Sequence, residues 1–129
     1  MVERHMQIGE VAVRTELSLR TIRHYEEAGL VTPSARSQGG FRLYAEKDVN
    51  RFMVIRRMKL LGFTLDEMRE LLEVTDRLDA DPPVEPAERA KLLQRLRNFE
   101  DIVQQRIVDL RTQLQRAEEF AATLALRSQ

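Results

Sequence analysis

The sequence predicts a mainly α fold, a winged helix-turn-helix domain followed by one long coiled-coil helix, on three observations. Two short amphipathic segments lie two or three residues apart near the N-terminus. A hairpin pattern with a Gly-Gly pair follows them, and from about residue 85 to 126 the chain runs without an internal helix breaker.

The elements follow in order. Ile8 to Thr15 places Ile8, Val11 and Ala12 on one helical face, and Ser18 to Ala28 buries Leu19 and Ile22 in a second helix. Ser18 is a good N-cap, and Gly29 before Leu30 suits a left-handed C-terminal stop with its apolar contact. Such a pair is the size of a helix-turn-helix. From Leu30 to Tyr44 the pattern changes to two apolar segments, Leu30-Val31 and Phe41 to Tyr44, separated by Pro33 and by Gly39-Gly40, which can turn a hairpin tip. These predict a two-stranded wing.

A third helix is expected from about Ala45 to Leu61, with Glu46 and Asp48 near its start and Arg56, Arg57 and Lys59 near its end, matching the helix dipole. Its buried stripe would be Val49, Phe52, Met53, Ile55 or Arg56, and Leu60, and Gly62 breaks it. Thr64 to Glu67 reads as a capping box that opens a fourth helix carrying Leu65, Met68, Leu71 and Leu72. The stretch Thr75 to Pro86, with Pro82, Pro83 and Pro86, is expected to end helical structure. The domains are therefore expected as 6–74, a linker over 75–84, and a dimerisation helix over 85–126. In that helix Leu96, Val103, Leu110, Ala117 and Leu124 keep a seven-residue spacing. A companion seam runs Leu92, Phe99, then slips one residue to Ile107, Leu114 and Ala121, because Arg106 occupies the expected slot. At about 1.5 Å per residue such a helix spans roughly 63 Å, too long for so small a domain to cover. Its stripe calls for a partner helix, a homodimer being favoured over folding back on the domain's own helices.

Composition narrows the function. The chain has 129 residues, 43% hydrophobic and 33% charged, with no cysteine, which excludes disulfides, thiolate chemistry and cysteine metal sites. No run reaches membrane-spanning length, and Met1 to Met6 lacks the apolar stretch of a signal peptide, so a cytoplasmic protein without a membrane partner is expected. The net charge of zero hides an asymmetry: residues 1–63 carry 11 basic and 7 acidic groups, residues 64–129 carry 10 and 14. That is either ordinary scatter or a basic half suited to phosphate. With no His-carboxylate constellation, no glycine-rich phosphate loop and no metal motif, neither an enzyme nor a cofactor is expected.

Duplex DNA is the partner that the basic half suits. The second helix of a helix-turn-helix meets base edges near its N-terminus, where Ser18, Arg20, Thr21, Arg23 and His24 stand. An arginine fork can hold guanine O6 and N7 together. The alternative for Arg20 and Arg23 is a solvated face paired with Glu26 and Glu27. Arg36 and Arg42 flank the hairpin glycines and suit a wing lying along the phosphate backbone. Tyr25 and Tyr44 are equally readable as core aromatics or as phosphate donors.

The runs Ile8 to Ala12, Thr21 to Leu30, Gly40 to Tyr44 and Leu61 to Glu67, in that order and spacing, resemble the mercury-resistance-regulator (MerR) family over about residues 6–74. The resemblance implies a winged helix-turn-helix and a dimer through antiparallel pairing of the long helix. It also implies a palindromic promoter with an overlong spacer, bent and untwisted so that RNA polymerase engages both of its elements. By position, Arg20 and Arg23 match base or groove contacts of the recognition helix. Ser18, Tyr25, Arg36, Arg42, Tyr44 and Lys59 match backbone contacts. The implied dimer seam takes in Leu96, Phe99, Val103, Ile107, Leu110, Leu114, Ala117 and Leu124. The sequence departs from the family's metal sensors in having no cysteines, and the large C-terminal domain of its drug-binding members is not expected after Leu126. Phe41 stands where the family usually has Tyr. A small-molecule or protein effector stays open, as do an architectural DNA-bending role and docking of a partner protein on the coil.

Overall fold

The structure, a computed structural model, describes residues 4–129, so Met1 to Glu3 of the N-terminal stretch lie outside the described residues. Five helices and a two-stranded hairpin follow in order: α1 Ile8–Thr15, α2 Leu19–Glu27, β1 Ala35–Arg36, β2 Arg42–Leu43, α3 Glu46–Leu60, α4 Leu65–Leu78 and α5 Pro86–Arg127. The mainly α class, the hairpin wing and the long C-terminal helix are as expected. The chain divides into two compact units, one through Leu72 and the other Glu73–Gln129.

In the first unit α1 packs on α2 and α3. Val11, Ile22, Tyr25, Phe52 and Ile55 form its centre, each at most 3% exposed. The caps explain where the helices begin and end. Ser18 Oγ accepts from Thr21 N at 3.0 Å at the start of α2, and Gly29 takes a φ of +79°, which closes the helix while Leu30 N donates to Tyr25 O at 3.0 Å. Thr64 and Glu67 form the expected capping box, with Thr64 N donating to Glu67 Oε1 at 2.9 Å and Glu67 N to Thr64 Oγ1 at 3.1 Å. Helix α3 has only half of such a box. Ala45 offers no side-chain acceptor, but Asp48 reaches back to Ala45 N at 2.9 Å and also receives Ser34 Oγ, which pins the wing's approach to the helix.

Three expectations are corrected. Leu30-Val31 forms no strand; both residues are buried core in the connection after α2, and the first strand is Ala35–Arg36, paired Ala35 with Leu43 and Arg36 with Arg42. Pro33 after them has no N–H for a ladder, and the short turn from Ser37 to Gly40, closed by Gly40 N to Ser37 O at 2.9 Å, sets the pairing nearer the tip. The α3 stripe is Val49, Phe52, Ile55 and Met58; Leu60 stands 74% exposed and Met53 is only half-buried. Helix α4 continues through Thr75 to Leu78, since that stretch holds no proline before Pro82 and Val74 is fully buried. Pro86 starts α5 rather than ending anything, a position where its missing N–H costs nothing.

In the second unit Val74, Leu92 and Phe99 are buried, and Arg77 pairs with Glu88. From Val108 onward every residue is exposed.

Arg14 of α1 grips Glu46 of α3 through two hydrogen bonds, one from Nη1 at 2.6 Å. That hydrogen bonding holds the Glu46 carboxyl below its ordinary value. The unfolded chain therefore takes up a proton near pH 4.5 while the folded chain still holds its charge. The contribution is complete above that pH and is lost as the pH falls through the lower folded value. Glu46→Gln should lower urea denaturation midpoints slightly at about pH 7, the effect being small because both groups are exposed, and should converge with the wild type at about pH 3, which flattens the acid limb.

Candidate nucleic-acid interface

Burial decides which way α2 faces. Ile22 and Tyr25 are in the core, so Arg20, Arg23 and His24 stand exposed on the opposite side. Ser18 is exposed at the cap, and its hydroxyl donates to Thr21 Oγ1 at 2.8 Å, leaving the half-exposed Thr21 hydroxyl its own proton to donate outward. Leu19, expected in the core, is 41% exposed because the α2 stripe runs through Ile22 and Tyr25. Among the described residues neither Arg20 nor Arg23 is held by a hydrogen bond or ion pair.

Glu26, read from sequence as a partner for those arginines, turns the other way. Its side chain is 6% exposed; Oε1 accepts from the Tyr44 hydroxyl, and Oε2 lies 3.2 Å from Arg42 Nε. That second contact is an ion pair by distance but too oblique for a hydrogen bond, and Oε2 is buried without another partner. Tyr44 is fully buried, with its ring 6.2 Å from that of Phe52, and its backbone pairs with Met6 in both directions at 2.8 Å. Burial, and then the hydrogen bond to Glu26, push its phenol well above the ordinary range. Tyr25 is 3% exposed, with its ring 5.5 Å from that of His24. Both rings thus take the core alternative, and Tyr44 spends its hydroxyl inside the protein. A carboxylate one helical turn beyond Ile22 was the available signal that Glu26 faces inward.

The wing carries the remaining charge. Arg36 and Arg42 face each other across the hairpin, and Arg36 Nη1 donates to Gly40 O at 3.0 Å at the tip. Gly40 has a φ of +82°, which favours glycine, and a Cβ on Gly39 would come within 3.2 Å of the exposed Phe41 ring, which would have to shift slightly. Arg23, Arg36 and Arg42 meet around one cleft of about 240 Å³, whose other walls are Gln7, Ile8, Gly40 and Phe41. Phe41, absent from the sequence-derived set, is 69% exposed there. Lys59 lies apart from the cleft, exposed at the end of α3.

In α5, Leu96, Val103 and Ile107 are half-buried, Phe99 is buried within the single chain, and Leu110, Leu114, Ala117 and Leu124 are exposed. The open part of the seam therefore starts beyond Phe99. Val108 and Leu126 are also exposed but fall off the seam. Among the described residues no group of three or more His, Cys, Asp or Glu could hold a metal ion, and no helix is long and apolar enough to cross a membrane.

A short helix pair whose second member presents unpaired arginines, beside a hairpin bearing two more, defines a winged helix-turn-helix of the DNA-binding class. Comparison with known proteins places it further. The model of the MerR HTH family regulatory proteins matches residues 6–75, and that described as MerR, DNA binding, matches 49–126. The chain belongs to the MerR family of DNA-binding transcription regulators. It is 43% identical over 74 residues to the mercuric resistance operon regulatory protein of Bacillus cereus, covering 57% of this chain and 56% of that one. It is 37% identical over 97 residues to the transcriptional regulator YfmP of Bacillus subtilis (strain 168), covering 70% and 69%. The chain spans about half the length of the first of these and of other curated relatives it matches. Its fold matches that of HiNmlR, described as a MerR family regulator lacking the sensor domain, bound to promoter DNA, with a TM-score of 0.70 at 22% identity over 92% of this chain and 89% of that one.

Proposed function

We propose that the protein acts as a homodimer on a palindromic promoter, reading bases with α2, holding the backbone with the wing, and distorting the spacer between its half-sites. The observation that carries this reading is the pair of unpaired arginines at the exposed start of α2, set in one unit with the arginines of the wing. Ser18, Arg20, Thr21, Arg23 and His24 form the reading set. Arg36, Arg42 and Lys59 form the backbone set. Tyr25 and Tyr44, buried as they are, serve by holding α2 and the wing in place.

Dimerisation is supported by the exposed seam of α5, where Leu110, Leu114, Ala117, Ala121 and Leu124 recur at intervals of three and four. A second copy of the helix would cover it. RNA polymerase at the promoter is the partner that spacer distortion requires. An effector would act by biasing the dimer's geometry.

Sequencing duplexes selected by the purified protein tests the reading at its base. Recovery of no common motif overturns it. On the selected duplex Arg20→Ala should lose specific affinity, by about 1 to 3 kcal/mol, and relax preference at one position per half-site. Arg42→Ala should weaken matched and mismatched duplexes alike, and titrations on both decide between the two roles.

Leu110→Asp should give monomers in sedimentation, because a charge desolvated at mid-seam costs several kcal/mol. A wild-type monomer at micromolar concentration would end the dimer reading.

Spacer distortion has its own test. Smooth bending of such a site costs on the order of 1 to 6 kcal/mol, so flexible central steps should bind better than stiff ones. In transcription with purified components, activation on the native spacer should vanish or reverse on a shortened one. Equal repression of both would show that the protein only blocks polymerase.

A further inference from the structure

The wing presents an electrostatic problem that the first unit solves in an unusual way. Arg36 and Arg42 are directly opposed across a ladder of only two residue pairs, where like charges destabilise pairing. Arg36 is tied to the hairpin tip through Gly40 O. Arg42, 40% exposed, is met from beneath by the 6%-exposed carboxylate of Glu26, which belongs to α2. A buried carboxylate is costly; its charge strengthens the bond from the Tyr44 hydroxyl, although a neutral amide could also accept that hydroxyl. The second oxygen, which Tyr44 does not use, brings that charge to the Arg42 cation.

The geometry of that contact leaves Arg42 divided. Its Nε edge faces Glu26, while its terminal amino groups carry no hydrogen bond among the described residues and the side chain lines the cleft with Arg23 and Arg36. An arginine fork has five donors, enough to be held from one edge and to bind an anion with the other. We propose that Glu26 is a positioning residue for DNA binding: it holds Arg42 by the Nε edge so that the terminal edge is set to receive a phosphodiester oxygen. Because Glu26 sits on α2, the wing's phosphate contact is thereby held at a fixed distance from Arg20 and Arg23 on the same helix.

This rests on the DNA-binding reading, and the experiment separates the two. The probe is the duplex selected by the purified full-length protein, titrated at several salt concentrations, with thermal unfolding confirming that each variant is folded at the assay temperature. Failure of the wild type to select a duplex ends the reading itself. Given binding, Glu26→Gln removes a negative charge near the DNA, and by charge alone should tighten it. Positioning predicts the opposite, a loss of about five- to tenfold with Arg42 present and no loss, or a slight gain, in the Arg42→Ala background. Arg42→Ala itself should flatten the salt slope by about one. Arg42→Lys keeps the charge, and with it the salt slope, but has no second edge to share, and should still bind several-fold more weakly than the wild type. Tighter or unchanged binding by Glu26→Gln, an equal loss in the Arg42→Ala background, or wild-type affinity for Arg42→Lys would each overturn the proposal. Should Glu26→Gln not fold, the Arg42→Lys comparison alone decides it.

Discussion

Burial of Ile22 and Tyr25 is the constraint from which the rest of the first unit follows. A domain this small has few residues for a core, and it cannot spare a helix for display alone. Helix α2 must wall the core and face solvent at once. Fixing its rotation by two buried side chains three residues apart places Arg20, Arg23 and His24 outward without any further device. The same rotation turns Glu26 under the wing, so one packing decision settles both the reading face and the seat of the hairpin.

The wing is held by few but varied contacts. Two residue pairs make a ladder too short to stand by itself. Asp48 draws in Ser34 at the near end, Met6 adds a bridge beside Tyr44, and Glu26 takes the Tyr44 hydroxyl and one edge of Arg42. These contacts come from α3, the N-terminal segment and α2. A hairpin anchored from three sides at its base can keep a bare, glycine-turned tip without losing its place.

Much of this was legible in the sequence where local chemistry decides the outcome. Ser18, Gly29 and the Thr64–Glu67 box each act through one or two hydrogen bonds or one backbone angle, and such signals lie within a few residues of their effect. What was misread depends on partners distant in sequence. Leu30-Val31 looks like a strand because an apolar pair records burial, not pairing, and here burial occurs in a connection. Leu60 fits a helical stripe by spacing, yet at that end of α3 the buried side is taken by Met58 and Leu60 stands exposed. Glu26 looked like a surface carboxylate because its partner Tyr44 lies 18 residues away. The prolines of the connection were weighed correctly as breakers, but the helix before them was ended too early, since α4 runs on to Leu78.

The far half of α5 has a different kind of consequence. From Val108 to the end, no side chain is buried by the chain's own fold, so none is answerable to the packing of the reading head. Substitutions there escape the usual veto of the core. Away from its seam positions such a segment is free to drift toward new partners while the surface that reads DNA is kept under separate constraint, and lineages sharing one reading head can diverge in the company it keeps.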